Sequence, residues 1–430
     1  MKHWFSDLGA FRRDPLDFFL SRGVESDEPL RRLWLGPLPV YQVVDPDLIK
    51  PIMKADESII DKGHLIYKLR EVIGQSSMVL SGEKHRERRA VIHRMLARGL
   101  ASSYVPDLSA MMRRYAVMLS AERSFDAHEA TAPLALRVIS TILFGPGTLS
   151  PGDENALVSS VKLVEDDLAA SIFKFLPDLP WVRARKKERL RQGREIMEMV
   201  VDRARTRASE HSVLRGLEEL DLTDKELGDE ILLLFLAGHH TTGSAAAWLL
   251  YYLGTMPELT DAIADEAAAV SDESGEIDPQ KLPKATVSMG VVREVLRLYP
   301  SAYWLSREVF ETVELGGRKL RPGTSLLMSP WHLHRDPRNW ENPTEFDHTR
   351  SHKHPSYMPF GVGPRACVGM GLGLLEMQLM ALEFASAFNL SVISDVPAPE
   401  PKPSITIVPP KIEIALTPRQ RRAEERRLVA

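Results

Sequence analysis

A mainly α-helical chain with small β-sheets is what this sequence predicts, and three observations carry the prediction. Helical patterns recur along most of its length, at residues 105–121, 128–144, 151–173 and from Pro180 onward. β-like runs are short: residues 33–35 and 40–44 flank a Gly-Pro turn, and residues 313–315 and 326–329 alternate or run apolar. Residues 231–253 carry no formal charge and are long enough to span a bilayer. Their centre, however, is Gly238-His239-His240-Thr241-Thr242-Gly243, which is costly in lipid. A polar centre of this kind suits a long helix buried through a protein, with a site at its midpoint.

Composition sets the outer bounds. With 430 residues and 44% hydrophobic content, the chain can bury a sizeable core, and residues 1–430 read as a single domain. A net charge of −4 and a pI near 6.4 give no case for nucleic acid. The first residues contain no apolar signal-peptide core and no membrane anchor. One cysteine and no leader point to a reducing, cytoplasmic compartment.

Taken in order, Asp14-Pro15 opens a first amphipathic helix, and Asp45-Pro46 opens another after the β-like runs. Residues 55–79 mix periods and read as loop-rich. Helical spacing returns at 81–96, with Val91, Ile92, Met95 and Leu96 on its apolar side. His85 and Arg89, four apart, share another face; such a pair either clamps a carboxylate or belongs to a solvated basic face. The helix from Pro180 is strongly basic between Arg183 and Arg194, but Ile196, Met199 and Val200 continue it as an amphipathic helix with a solvent face.

Thr223-Asp224-Lys225-Glu226 is a capping box that starts the uncharged helix. Within that helix, Thr and Gly near the centre loosen the backbone ladder. Pro257 opens the next helix, to about Val270, and residues 271–283 form a polar loop. Glu294 and Arg297 lie three apart on a helix that Pro300 ends. Flanked by Val295, Leu296 and Leu298, the pair reads as buried, and a buried pair needs further partners. His332, His334 and His354 show no ligand spacing and read as loop or surface histidines. Residues 369–388 read as one long amphipathic helix, 404–416 as a hairpin around Pro409-Pro410, and 419–427 as a solvated charged tail.

The chain is organised around Phe360-Gly361-Val362-Gly363-Pro364-Arg365-Ala366-Cys367-Val368-Gly369. Cys367 is the only cysteine, so it makes no internal disulfide and no multi-cysteine zinc or iron–sulfur site. Most free cysteines are small buried hydrophobes, but the neighbours here argue otherwise. Gly361 and Gly363 permit a tight turn. Arg365 brings a positive charge that favours thiolate. A helix starting at Met370 places the sulfur beside unpaired N–H groups and the positive end of the dipole.

This stretch resembles the haem-binding loop of cytochromes P450, with every fixed letter of Phe-Gly-x-Gly-x-Arg-x-Cys-x-Gly present. The basic pair, the polar helix centre, Glu-x-x-Arg and the cysteine loop also follow in that family's order, across nearly the whole chain. The resemblance implies the cytochrome P450 fold and haem b (iron protoporphyrin IX), held without a Cys-x-x-Cys-His attachment. It implies the Cys367 thiolate as axial ligand of the iron. It assigns His85, Arg89 and Arg307 to the propionates, and Ala237, Gly238, Phe360, Gly361, Arg365 and Gly369 to the haem's surroundings. Arg350 would join Glu294 and Arg297 as a structural lock on the cysteine loop. Thr241 would bond bound oxygen and help deliver protons. The departure is His240, where the family carries an acid. With an ordinary pKa of about 6.5, a histidine there either replaces the acid as relay or turns from the haem to cap a broken helix bond.

The implied reaction is monooxygenation, with one oxygen atom from O2 entering a hydrophobic small molecule such as a terpenoid, steroid or fatty acid. The family pattern places the substrate near Leu234, Ala237, Ala302, Tyr303, Trp304 and Ile405. No flavin or ferredoxin module is appended, so a ferredoxin or flavodoxin-type electron donor with its reductase is implied. Two rivals stay open: a hydrogen-peroxide-dependent peroxygenase, which the lost acid favours, and a non-enzymatic haem-thiolate sensor.

Overall fold

Capping residues and prolines set the first elements. In the computed structural model, which describes residues 4–100, 104–172, 179–393, 400–404 and 406–419, α1 (Leu8–Arg13) and α2 (Pro15–Val24) meet at Asp14. The Asp14 carboxylate accepts from the backbone N–H groups of Leu16 and Asp17 at 2.9 and 3.0 Å, with Pro15 at the first helical position. Strands β1 (Leu30–Leu33) and β2 (Val40–Val43) pair antiparallel, Leu33 opposite Val40. The stretch expected to be loop-rich is a string of short elements, β3 (Ile60–Asp61), α4 (Gly63–Tyr67) and α5 (Arg70–Ile73), preceded by α3 (Ile49–Lys54). Elements this brief carry no readable period, which is why the sequence left them undefined.

The main helical layer follows: α6 (Gly82–Leu100), α7 (Val105–Leu119), the short β4 (Phe125–Asp126), α8 (Ala127–Phe144), α9 (Pro151–Ile172), α10 (Pro180–Arg205), α11 (Val213–Glu218), α12 (Asp224–Thr255), α13 (Pro257–Ala269) and α14 (Thr286–Leu298). Helix α12 starts at the capping box the sequence predicts: the Glu226 N–H donates to Thr223 Oγ1 at 3.3 Å, and the Thr223 N–H donates to Glu226 Oε2 at 3.1 Å. At 32 residues it runs about 48 Å at 1.5 Å per residue. Residues 231–236 and 243–250 are buried, so the uncharged stretch does lie inside protein. Among the described residues, no helix is long and apolar enough to cross a membrane.

Two glycines set how closely α12 lies on α8. A Cβ at Gly238 would sit 2.9 Å from Ile139 Cγ1, and one at Gly243 would sit 2.8 Å from Ala132 Cα. The smallness of Gly238 therefore serves this helix contact, where the sequence reading gave it to the haem. In α10 the residues turned inward are Met197, Val200, Val201 and Ala204, while Met199 points out. Arg194 leaves the basic face and pairs with buried Asp229 at 2.5 Å.

The chain continues through β5 (Leu305–Val309), β6 (Val313–Leu315), β7 (Arg318–Leu320) and β8 (Ser325–Met328), then α15 (Pro330–Leu333) and α16 (Met370–Ala387), then β9 (Phe388–Val392), β10 (Lys402–Pro403), β11 (Ile407–Val408) and β12 (Glu413–Pro418). A five-stranded sheet has the order β1-β2-β8-β5-β3, with only β2 and β8 parallel. A three-stranded sheet has the order β4-β12-β9, and β6–β7 and β10–β11 are separate pairs.

Four expectations are corrected here. Residues 404–416 are not a hairpin around Pro409-Pro410: β11 pairs with β10, and β12 pairs with β9 and β4. The two prolines donate no N–H and fix φ, so they end one ladder and the chain enters another. Helix α16 has no solvent face along its middle, because every residue from Leu375 to Ala385 is buried, Glu376, Gln378 and Glu383 included; a helix covered on all sides lies inside a core. His332 and His334 are fully buried rather than on the surface, and only His354 is exposed. The His332 ring lies against α2, where a Cβ on Gly23 would sit 2.2 Å away, and its Nε2 bonds Asp336 at 3.0 Å. Arg419 is not solvated: it reaches Asp261 at 2.6 Å and donates to Ala385 O at 2.6 Å. Residues 420–427 of the expected tail, together with Phe173 and Ile405, lie outside the described residues.

Candidate active site

The cysteine loop is built from backbone bonds. Gly361 and Gly363 hold φ of 66° and 77°, a region that side chains resist, and a Cβ on Gly363 would sit 2.7 Å from Met53 O. Between them and α16, the Cys367 N–H donates to Phe360 O at 2.8 Å and the Ala366 N–H to Gly363 O at 3.0 Å. Phe360 is half-buried on the main helical core, and Gly369 immediately precedes α16. Cys367 is accessible, yet burial is the largest influence on its thiol and pushes its pKa up. Accessibility with protein on most sides describes a side chain lining a recess. The Gly369 N–H and then Arg89 pull the other way.

Arg365 is therefore not the cation beside the thiol, as the sequence suggested. Its guanidinium, nearly buried, is engaged elsewhere, donating to Leu80 O at 2.8 Å and to Glu57 Oε1 at 2.7 Å. Arg89 takes the place near the sulfur and donates to Ala366 O at 2.6 Å. A spacing of two residues fixes position along the chain, not the direction of a long side chain at a turn.

Basic groups converge beside this loop. Lys62, His85, Arg89, Arg307 and Arg365 influence one another's charge, with Asp61 and Glu57 as the acids among them. Burial and then Arg365, Lys62 and Arg89 hold His85 down to about 3. Burial, then Arg365, lowers Lys62 to about 7, although its ammonium donates to Met78 O at 2.5 Å and Leu80 O at 2.6 Å. Arg307, buried and donating to Ser306 O at 2.8 Å, is lowered to about 10 chiefly by burial. His85 Nδ1 and Arg365 Nε are buried with no protein partner. Two carboxylates thus face four lysine and arginine side chains and a histidine. A ligand bringing two carboxylates beside an accessible thiol would relieve that imbalance, and haem has this chemistry. Lys62 was missed in the sequence because a single lysine between Asp61 and Gly63 gives no signal. On α6, Arg88 is a buried structural residue, bonded to Glu226 at 2.6 Å and Glu230 at 3.1 Å, and separate from His85 and Arg89.

Helix α12 remains unbroken through its polar centre. At that centre, carbonyls accept an extra hydroxyl: Ala237 O from Thr241 Oγ1 at 2.5 Å, Thr241 O from Ser301 Oγ at 2.7 Å, and Gly243 O from Thr131 Oγ1 at 2.7 Å. These bonds relax the helix carbonyls without interrupting the helix. The His240 Nδ1 lies 3.2 Å from the Thr406 hydroxyl. Burial, then His128, lowers its pKa to about 4, and burial, then His240, does the same for the neighbouring His239. Ala237 is exposed and Ala302 half-exposed, Leu234 is nearly buried, and Trp304 is half-buried. Tyr303 is buried in the N-terminal apolar cluster, donating to Ser404 O at 3.2 Å, so it does not line an open pocket.

Glu294 and Arg297 form the buried pair the sequence predicts, with both side chains fully covered and bonds of 2.9 and 2.7 Å. Arg297 also donates to the carbonyls of His334, Pro343 and Glu345 at 2.7, 2.6 and 3.0 Å. Arg350 Nε stands 3.4 Å from Glu294 Oε1, and His352 Nε2 lies 3.0 Å from Oε2. Although burial alone would raise it, the bonds from His352 and Arg297 hold Glu294 down at about 2. His334 carries the lock to the cysteine loop. Its Nδ1 lies 2.9 Å from Arg297 O, its Nε2 accepts from the Met358 N–H at 3.0 Å, and the Gly361 N–H donates to Met358 O at 3.0 Å. The acceptor role of Nε2 places the ring proton on Nδ1. His334 and His352 were missed because both contacts come from loops distant in sequence.

Comparisons with known proteins bear on this arrangement. A family model described as cytochrome P450 matches residues 11–416. "Cyclooctatin synthase" of Streptomyces melanosporofaciens is 27% identical over 420 residues, 92% of this chain and 90% of the relative. "Cyclooctat-9-en-7-ol 5-monooxygenase" of the same organism is 28% identical over 404 residues, 89% of this chain and 86% of the relative. "Cytochrome P450 4V2" of Homo sapiens is 26% identical over 397 residues, 81% of this chain and 74% of the relative.

Proposed function

This chain belongs to the cytochrome P450 family, haem-using oxidoreductases, and from that membership and the geometry of its site we propose that it is a haem b monooxygenase acting on an apolar small molecule. The observation that carries the reading is one recess that holds the sole, accessible thiol beside an under-compensated set of cations. Cys367 would ligate the iron through its thiolate. His85, Arg89, Arg307 and Lys62, with Arg365, would hold the two carboxylates, while Gly361 and Gly369 keep the loop backbone close and Phe360 packs beneath it. Haem, when bound, supplies activation of dioxygen and transfer of one oxygen atom to the substrate.

The protein's share is positioning, exclusion of water and proton handling. Ala237, small and accessible on α12, leaves room for the reacting molecule. Thr241 Oγ1 rests on Ala237 O, which holds the hydroxyl at a fixed place on the helix where it can pass a proton. His240 adjoins it as the residue that brings protons in. Ala237, Ala302 and Leu234 give the substrate side an apolar lining. A terpenoid is the favoured substrate class, since one relative is named for a monooxygenation of cyclooctat-9-en-7-ol. Electrons would come from a ferredoxin or flavodoxin-type donor with its reductase.

Product assays with such a donor system test the proposal. The expected result is oxygenated product that requires O2, donor and reductase and survives added catalase. Product formed only with hydrogen peroxide would make the protein a peroxygenase. Ligands that shift the haem spectrum but yield no product under either condition would make it a sensor.

A further inference from the structure

Polar side chains of α12 and its neighbours form a continuous chain that ends on the first turn of α8. His240 Nδ1 lies 3.2 Å from Thr406 Oγ1, Thr406 Oγ1 lies 3.0 Å from Ser244 Oγ, and Ser244 Oγ lies 3.4 Å from His128 Nε2. Ser244 and Thr406 are fully buried, whereas His128 is half-buried on the first turn of α8, beside exposed Glu129. The segments that supply these groups, α8, α12 and the stretch between β10 and β11, are far apart in sequence. A chain of two hydroxyls between two imidazoles is a conductor for protons, because each member can donate and accept at once.

We propose that His128, Ser244, Thr406 and His240 form a proton wire that carries protons from solvent at α8 to the Thr241 side of α12. The proposal rests on the reading of His240 and Thr241 as the proton-handling end of the active site. The transfer balances without electrons. A proton enters at His128 Nδ1, and Nε2–H passes its proton to Ser244 Oγ. The Ser244 hydroxyl gives its own proton to Thr406 Oγ1, and the Thr406 hydroxyl gives its own to His240 Nδ1. His240 then releases the proton on Nε2. One proton enters, one leaves, and each group ends with as many as it began. Burial lowers the pKa of both histidines, against Asp126 and Glu129 at His128, so both rings are neutral at pH 7 and each keeps one N–H and one lone pair. The 3.4 Å link at His128 is the longest and is where motion would gate the wire.

The resting protein tests the chain directly. In the ferrous carbon monoxide complex of histidine-15N-labelled holoenzyme, the two ring nitrogens that face the hydroxyls, His128 Nε2 and His240 Nδ1, must have opposite roles, one protonated and the other not. Both protonated, or both bare, leaves the chain without a single direction and overturns the wire. Thr406→Val removes the hydroxyl at nearly constant shape, and Thr406→Ser retains it. Product formed per electron should fall about tenfold or more in Thr406→Val, the range of a lost proton-transfer group, and recover in Thr406→Ser, with unchanged haem content in both. Thr406→Val that couples like the parent, alongside His240→Ala that does not, removes the wire and leaves the His240 reading standing. His240→Ala that couples like the parent removes both.

Discussion

At the scale of the residue, His334 shows how a site is held by groups that do no chemistry. Its ring bridges Arg297 O and the Met358 N–H, so the ion pair on α14 and the turn entering the cysteine loop share one imidazole. That role requires a neutral ring, and burial holds its pKa at about 3. An unfolded chain takes up the same proton below about pH 6.5. Between those values the unfolded state binds more protons, so stability falls as pH falls, by about 1.4 kcal/mol per pH unit, and is level above pH 6.5. Buried Glu376 works in the opposite direction, because its raised pKa favours the folded state at low pH. Urea unfolding of the parent and of His334→Asn isolates the ring. Between pH 7 and pH 5 the parent should lose about 2 kcal/mol more than the variant. Equal losses would mean that the ring is not held neutral.

The same scale shows what sequence conveys. Cys367 was legible because a lone thiol between glycines leaves few alternatives, and the Glu294–Arg297 pair was legible because its spacing and apolar flanks are local. The direction of Arg365, the burial of His334 and the bond from His240 to Thr406 were not. Each depends on which distant loop meets the side chain, and neither periodicity nor spacing encodes that.

At the scale of the element, α12 is the organising piece, and its glycines are not equivalent. Gly243 presses on backbone of α8, whereas Gly228 near its start has nothing within 4 Å of a Cβ. Gly243→Ala should therefore force α8 and α12 apart and cost about 1–3 kcal/mol. Gly228→Ala meets open space and should be neutral or stabilise by up to about 1 kcal/mol, the helix preference of alanine over glycine. Thermal unfolding of the two variants checks the contrast, and equal shifts would contradict the close approach. The length and burial of α12 were readable from an uncharged run with a capping box. The short strands were read less well, since two-residue ladders such as β10 with β11 depend on partners and on where prolines redirect the chain.

At the scale of the whole molecule, the helical layer and the sheets bring one thiol, a set of cations and the polar middle of α12 into a single protein. No one segment contains more than part of this arrangement. The thiol comes from the loop before α16, the cations from α6, β5 and the short elements after α3, and the proton-handling groups from α12 and its neighbours. The order of these motifs along the chain was visible in the sequence. Their convergence needed the fold, and Lys62 shows the difference, being anonymous in sequence and central in space. We propose that this convergence makes Cys367 the thiolate ligand of haem iron. The most direct measurement is the absorption spectrum of the reduced, haem-loaded protein with carbon monoxide, for the parent and for Cys367→Ala. The expected result is a strongly red-shifted haem band in the parent that is absent from the variant at equal haem content. The same band in haem-loaded Cys367→Ala would contradict it.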